Sequence, residues 1–218
     1  MNKNFKCVVF DLDGTLIDSG PDLVDSLNFV LKKNNLNEID KKVIGNLVGG
    51  GAEAMIRRGY DFLKEKLEEN IIPELVKIFI EHYELNCTKK TKLYPNIMEI
   101  LVFLKKKKIK ICICTNKKQF LADRIINNLG LNKYFDLIIG SKDTNKLKPD
   151  PSMLQECIDS LNVKCNETIF VGDSINDIIP ARKLGVFSFF VEYGYGKVEK
   201  FTEPNAKVSD IIELKNYF

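Results

Sequence analysis

Five short runs along the 218-residue chain are rich in apolar and β-branched residues, at 7–12, 110–115, 137–141, 168–172 and 186–191. Each is about as long as one strand, is apolar at nearly every position, and reads as a strand buried on both faces of a parallel sheet. Helical periodicity precedes the second run and fills the gaps between the last four. One helix opens at Ile97 after Tyr94-Pro95-Asn96, a second covers 117–129 before Gly130, a third covers 151–161, and a fourth covers 175–184 before Gly185. Pro near a start and Gly just past an end mark helix termini. The alternation of strand and helix predicts an α/β fold, an open doubly wound parallel sheet. The stretch between the first two runs breaks this rhythm, because about 95 residues are far more than one crossover needs. Residues 21–33, 41–47, 52–62 and 73–85 read as helices. An all-helical module is therefore expected as an insertion at 17–86, with the core made of 1–16 and 87–218.

Composition narrows the class of protein without naming it. A hydrophobic fraction of 44% is enough for a packed interior, and 29% charged residues with a formal net charge of +3 are near ordinary values. The one tight basic run, Lys105 to Lys108, continues the apolar positions Ile97, Ile100, Leu101 and Leu104. It reads as a solvated helix end, where cations suit the helix dipole, so no nucleic-acid partner is expected. Of the six cysteines, Cys7, Cys112 and Cys114 lie inside strand runs and read as small core residues. No apolar run approaches the roughly 18 residues of a membrane span, and the N-terminus has no signal-peptide pattern. A reduced, cytoplasmic protein with no membrane partner is expected, as a monomer or homodimer.

In an open parallel sheet, ligands bind beyond the carboxyl ends of the strands. Asp11-Leu12-Asp13-Gly14-Thr15 follows the first strand and Thr115-Asn116-Lys117 the second. Lys148 and Asp150 follow the third, and Gly172-Asp173-Ser174, with Asp177 beyond, follows the fourth. Singly, each has an ordinary reading: a turn, a helix cap, a surface lysine, an acidic helix start. Jointly they bring several carboxylates to one place, which is unfavourable unless a cation or a proton is shared. A hard cation such as Mg²⁺ suits carboxylate oxygens. Thr15 offers a hydroxyl to an anion, and Gly14 permits close backbone approach. With one histidine in the chain, His82, no Ser-His-Asp chemistry can be built. His82 itself reads as a helix-surface residue of the insertion.

The segments VVFDLDGTLIDS, ICICTNK, KLKPDP and FVGDSINDIIPARKLG resemble, in that order, the four motifs of the haloacid-dehalogenase-like phosphatases, and they span Val8 to Gly185. The helical insertion is similar to the cap domain of that superfamily. Within the superfamily, DSGPDLVDSLN, the glycine-rich LVGGGAEAMIRRG, TNK and VEYGYG resemble the phosphoglycolate phosphatases. The resemblance implies Mg²⁺-dependent hydrolysis of a small phosphorylated metabolite, 2-phosphoglycolate above others. It makes Asp11 the nucleophile that forms an aspartyl-phosphate, and Asp13 the acid and then the base. Thr115 and Asn116 would bind phosphate oxygens, and Lys148 would hold both Asp11 and the phosphoryl group. Asp11, Asp173 and the backbone carbonyl of Asp13 would ligate the metal, with Asp177 supporting it. In the cap, Gly50 and Gly51, with Arg57 or Arg58, would meet a substrate carboxylate. Intact Asp13 argues against a dehalogenase, a phosphonate hydrolase and a non-catalytic module. A nucleotidase, a pyrophosphatase, a sugar phosphatase and a β-phosphoglucomutase-like enzyme remain open. One departure is Pro180, where relatives carry a small residue; it is expected about one turn into its helix, where a missing N–H costs little.

Overall fold

The apolar runs become strands because a side chain on either face of each finds other side chains rather than water. In the computed structural model, which describes residues 4–197 and 203–218, six parallel strands make one sheet. They are β1 (Cys7–Phe10), β2 (Lys110–Lys118), β3 (Leu137–Ser141), β4 (Thr168–Gly172), β5 (Phe187–Val191) and β6 (Ala206–Val208), in the order β3-β2-β1-β4-β5-β6. All four residues of β1 are buried, and they pair with Lys110 to Ile113 of β2 on one side and Thr168 to Val171 of β4 on the other. β1 is therefore where the strand order reverses, and the carboxyl ends of β1, β2 and β4 lie side by side. The expected fold class is the one observed.

Three details differ from expectation. The first strand ends at Phe10, so Asp11 stands just beyond it, with its N–H donating to Val171 C=O at 2.9 Å. β2 runs on to Lys118, through the residues expected to open a helix. The edge strand β6 was not legible, since only Val208 of its three residues is buried.

The described chain clusters into two compact units. One runs to Asp18 and resumes at Leu93; the other is Ser19–Lys92. The first holds the sheet and helices that flank it. In the helix Ile97–Lys106, residues Ile97, Ile100, Leu101 and Leu104 are buried, which is one helical face. The helix Ile175–Leu184 ends at Gly185, whose φ of 70° closes it in the left-handed conformation. Pro180 lies inside this helix and is buried, beyond the turn whose N–H groups are free in any helix. The expected low-cost position is thus corrected to one that forgoes a helical hydrogen bond.

The second unit is helical. Its main elements are α1 (Gly20–Lys33), α2 (Ile44–Leu47), α3 (Gly51–Leu63) and α4 (Ile72–Asn86). Leu23, Val24, Leu27, Val30 and Leu31 of α1 are buried, as are Met55, Ile56 and Tyr60 of α3 and Leu75, Phe79 and Tyr83 of α4. At Gly59 of α3 an added Cβ would stand 3.0 Å from Leu27 Cδ1, so the missing side chain lets α3 lie close to α1. The two ends of the unit meet at Asp22, which is buried. Its carboxylate accepts hydrogen bonds from the backbone N–H of Lys90 at 3.0 Å and of Thr91 at 2.8 Å, and from the Thr91 hydroxyl at 2.8 Å. A carboxylate held by several donors tolerates such burial. His82 is less exposed than a surface residue: its Nδ1 lies 3.0 Å from Ser26 Oγ, and its ring stacks on Phe29 at 4.2 Å.

Candidate active site

Asp11 is carried by the end of β1 and Lys148 by the loop after β3. Lys148 Nζ lies 2.9 Å from Asp11 Oδ1 and 2.6 Å from Asp177 Oδ1, and it donates to Cys114 C=O at 2.8 Å. The lysine side chain is 1% exposed. An ammonium so buried is stable only among acceptors. Burial works against its charge, but Asp11 and Asp177 outweigh that and hold its pKa above the usual lysine value. The surface-lysine reading therefore fails.

Asn116, expected to face phosphate, has another use for its side chain. Its amide donates to Lys148 C=O at 2.8 Å, and its carbonyl accepts from Lys148 N–H at 2.8 Å. Two antiparallel hydrogen bonds of this kind act like a rung of sheet, and they fix the backbone from which the catalytic-candidate lysine springs. Thr115 is buried, and its Oγ1 accepts from Lys117 N–H at 3.2 Å.

From the end of β4 come Asp173 and Asp177. Asp177 is buried in the first turn of its helix, and its Oδ2 accepts from Ser174 N–H at 3.1 Å and Ser174 Oγ at 2.9 Å, a capping box. Helix capping and site chemistry therefore coexist in one residue. Asp173 Oδ2 accepts two backbone hydrogen bonds, from Tyr195 N–H at 2.7 Å and Gly196 N–H at 3.0 Å. The same loop reaches the first motif: Tyr193 OH donates to Thr15 C=O at 2.9 Å, and Tyr195 OH lies 2.5 Å from Asp18 Oδ1. At Gly14, with φ of 85°, an added Cβ would overlap the Asp173 carboxylate, so the close turn between these segments requires glycine. Thr15 Oγ1 is buried with no hydrogen-bond partner among the described residues.

Asp11, Asp173 and Asp177 each offer a carboxylate oxygen, and these atoms lie within 4.8 Å of one another. Burial raises the Asp11 carboxyl to about 6, with Lys148 opposing and Asp177 adding to the rise. Burial, then Asp177 and Asp11, push Asp173 up to about 8 against the two backbone donors. Three buried carboxylates thus share one ammonium, and the excess negative charge together with an all-oxygen donor set fits a hard divalent cation. Asp13 is not one of those three, though its charge adds to the rise at Asp11; its Oδ2 lies 2.8 Å from Lys117 Nζ. Lys117, Tyr195 and Gly196 carried no reading of their own in the sequence. The only signal was local: a lysine directly after Thr-Asn, and the alternation Tyr-Gly-Tyr-Gly.

Gly49, Gly50 and Gly51 all have positive φ, at 105°, 76° and 88°, and Gly50 is the N-cap of α3. The Arg57 guanidinium is 2.7 Å and 2.8 Å from the two oxygens of Glu69 and 3.0 Å from Glu53 Oε1. Arg58 Nη1 donates to Leu47 C=O at 3.0 Å and Gly49 C=O at 2.7 Å. Both arginines are engaged within the helical unit.

Residues 8–191 match the haloacid dehalogenase-like hydrolase family. The sequence is 36% identical to a phosphoglycolate phosphatase of Agrobacterium fabrum over 207 residues, covering 94% of this chain and 89% of that protein. It is also 36% identical to one of Mesorhizobium japonicum, covering 93% and 89%. The fold superposes on a crystal structure of a predicted phosphoglycolate phosphatase from Haemophilus somnus with a TM-score of 0.89 at 28% identity, covering 98% of this chain and 97% of that one. A predicted phosphatase from Clostridium acetobutylicum gives 0.83 at 27% identity, covering 97% of each chain.

Proposed function

This chain belongs to the haloacid dehalogenase-like hydrolases and is a phosphoric monoester hydrolase, and on that premise we propose that it hydrolyses 2-phosphoglycolate to glycolate and phosphate through an aspartyl-phosphate on Asp11. The observation that carries the reading is the Asp11–Lys148 pair at 2.9 Å at the end of the central strand, beside two more buried carboxylates. A carboxylate can approach an anionic phosphate only where cations offset the repulsion. Lys148 supplies one such charge and orients the attacking oxygen. Asp11, Asp173 and the Asp13 main-chain carbonyl would hold a Mg²⁺ ion, with Asp177 alongside, and the ion would supply the remaining neutralisation of the phosphoryl oxygens. Thr115 meets phosphate oxygens, and Asn116 serves by fixing the Lys148 backbone.

In the first half of the reaction an Asp11 oxygen attacks phosphorus. The bond from phosphorus to the ester oxygen breaks, and that oxygen takes a proton from Asp13 as it leaves. In the second half Asp13 takes a proton from water, the resulting oxygen attacks phosphorus, and the electron pair of the acyl-phosphate bond returns to Asp11. Positioning and charge neutralisation account for most of the rate in such transfers. The names of the relatives support the choice of substrate. Among the described residues no helix is long and apolar enough to cross a membrane.

The test is phosphate release with Mg²⁺ over 2-phosphoglycolate, sugar phosphates, mononucleotides and pyrophosphate, with Asp11→Asn as control. The highest kcat/KM is expected on 2-phosphoglycolate, and Asp11→Asn is expected to lose at least about a thousandfold in kcat, a barrier increase of about 4 kcal/mol. A tenfold preference for a nucleotide or hexose phosphate would remove the substrate assignment and leave the nucleophile standing. An active Asn variant would remove the nucleophile.

A further inference from the structure

Lys148 and Lys117, both in the unit that contains the sheet, have side chains 1% and 5% exposed, and of the two Lys148 belongs to the acidic cluster. Lys148 serves Asp11 and Asp177. Lys117 is the penultimate residue of β2, and its side chain is 5% exposed although the chain is rich in lysines that reach solvent. Lysine is almost never buried unless paired, and the partner here is Asp13, with Lys117 Nζ 2.8 Å from Asp13 Oδ2. β2 explains the placement. Its pairing with β3 shifts register between Cys114 and Lys118, and in this irregular stretch Asn116 holds the Lys148 backbone while Lys117 reaches Asp13. One three-residue segment thereby governs both ends of the chemistry: Asn116 the lysine of the nucleophile, Lys117 the aspartate of the proton transfer.

We propose that Lys117 is a positioning residue for proton transfer by Asp13. The terminal torsion of an aspartate is broad and roughly two-fold, so an untethered carboxyl group spends much of its time off the line to the leaving oxygen. An ammonium fixed to Oδ2 holds the plane of the group and assigns the exchanged proton to Oδ1. When the bond from phosphorus to the ester oxygen breaks, the proton on Oδ1 passes to that oxygen and Asp13 is left as a carboxylate still paired with Lys117. The water that follows returns a proton to Oδ1, and the resting state is restored with no further reactant. The inference rests on the proposed aspartyl-phosphate reaction, and it goes beyond it by giving a task to a residue that is not one of the cluster's carboxylates or their lysine.

The experiment compares Lys117→Met and Lys117→Arg with the wild-type enzyme on 2-phosphoglycolate, whose leaving alkoxide needs a proton, and on p-nitrophenyl phosphate, whose leaving group does not. Single-turnover phosphoryl transfer is read together with steady-state kcat and KM. Lys117→Met is expected to lose about 10²-fold in kcat on 2-phosphoglycolate, the lower range for general acid catalysis, and less than about fivefold in single-turnover transfer from p-nitrophenyl phosphate. KM should change by less than about threefold. Lys117→Arg should recover about tenfold of the loss, and it keeps the result readable if the Met variant melts early. In an Asp13→Asn background Lys117→Met should cost nothing more on 2-phosphoglycolate, since residues that act as a unit are not additive. Equal losses on the two substrates would overturn the inference, as would a raised KM at unchanged kcat, which would make Lys117 a substrate ligand. A further loss in the Asp13→Asn background would overturn it too. Asp11→Asn separates the two levels of argument: if it is dead while Lys117→Met fails these tests, the aspartyl-phosphate reaction stands and only the role of Lys117 falls.

Discussion

Lys148 in the sheet unit and Arg57 in the helical unit do the same formal job, one cation between two carboxylates, in opposite surroundings. Lys148 is buried between Asp11 and Asp177, whereas the Arg57 side chain is 40% exposed between Glu53 and Glu69. In the first case removal of the cation strands charge away from water. In the second, water replaces it at little cost. The difference separates a charge arrangement that is costly to build from one that surfaces acquire freely. It also says where the chemistry is held. Among the described residues the cluster able to hold a cation is in the sheet unit, while the two arginines of the glycine-rich segment are engaged by carboxylates and carbonyls of their own unit.

The strongest way to break the comparison is to delete both cations. Lys148→Met is expected to abolish turnover and to destabilise the metal-free protein by about 3–5 kcal/mol, the usual consequence of stranding a buried charge. Arg57→Ala should leave the urea midpoint close to that of the wild type. Equal midpoints for the two variants would mean that burial does not govern the energetics of Lys148.

Metal removal sharpens the contrast from the other side. With three buried carboxylates and one ammonium, the chelated site is under repulsion, and Asp173 is the member pushed furthest, up to about 8. Both backbone donors to Asp173 reach the same oxygen, Oδ2, which a single amide oxygen could replace. Asp173→Asn should therefore stabilise the chelated protein by about 1 kcal/mol, as relief of active-site strain commonly does. Added Mg²⁺ should reverse the order, because the wild type alone gains about 2.7 kcal/mol at a hundredfold excess over Kd. Thermal melts with EDTA and with Mg²⁺ check both halves; a chelated variant less stable than wild type would show that the carboxylates do not repel.

How much of this was legible in the chain depends on range. β1 and β4 were legible because every one of their residues is buried and both runs are largely apolar. The carboxylates at their ends followed from the parallel-sheet rule, and Asp11, Asp173 and Asp177 do converge. The uses of Asn116 and Lys117 were not legible, because their partners lie 32 and 104 residues away and no local pattern encodes such pairs. Asp22 was hidden for the same reason: the donors to its carboxylate, Lys90 and Thr91, lie 68 and 69 residues away. The helix holding Pro180 was legible from end to end, at 175–184; what was misjudged is the cost, because the sixth helical residue lies past the turn whose N–H groups are free.

A smaller effect is expected from the glycine run of the helical unit. Gly50 has φ of 76°, and a Cβ there would meet Ala54 Cβ at 3.0 Å and Arg58 Nη2 at 3.3 Å. Gly50→Val therefore strains the backbone, by about 1–3 kcal/mol, and displaces the guanidinium that holds Leu47 and Gly49. If this segment contributes to selecting a carboxylate-bearing substrate, kcat/KM should fall several-fold more for 2-phosphoglycolate than for p-nitrophenyl phosphate. Equal falls would assign selection to the sheet unit alone.

The smallest effect tests whether the helical unit has an electrostatic response of its own. His82 of α4 has its pKa lowered from the usual value by burial, with Asp25 opposing and Lys89 adding to the decrease. Its Nδ1 faces Ser26 Oγ, Phe29 stacks on its ring, and Asp25 is itself paired with Lys90. A histidine whose folded pKa is depressed binds fewer protons folded than unfolded, so its contribution to stability is complete above about 6.5, the unfolded value. That contribution is lost as pH falls from there through the folded value. Because His82 is only half-buried, solvent screening keeps the effect below about 0.5 kcal/mol. His82→Gln keeps a polar group beside Ser26 and removes the titration. Melts of the two proteins at pH 7.5 and pH 5.5 should therefore show the wild type losing slightly more on acidification than the variant. Parallel losses would place the acid sensitivity in the carboxylates of the sheet unit, where the large charge arrangement already lies.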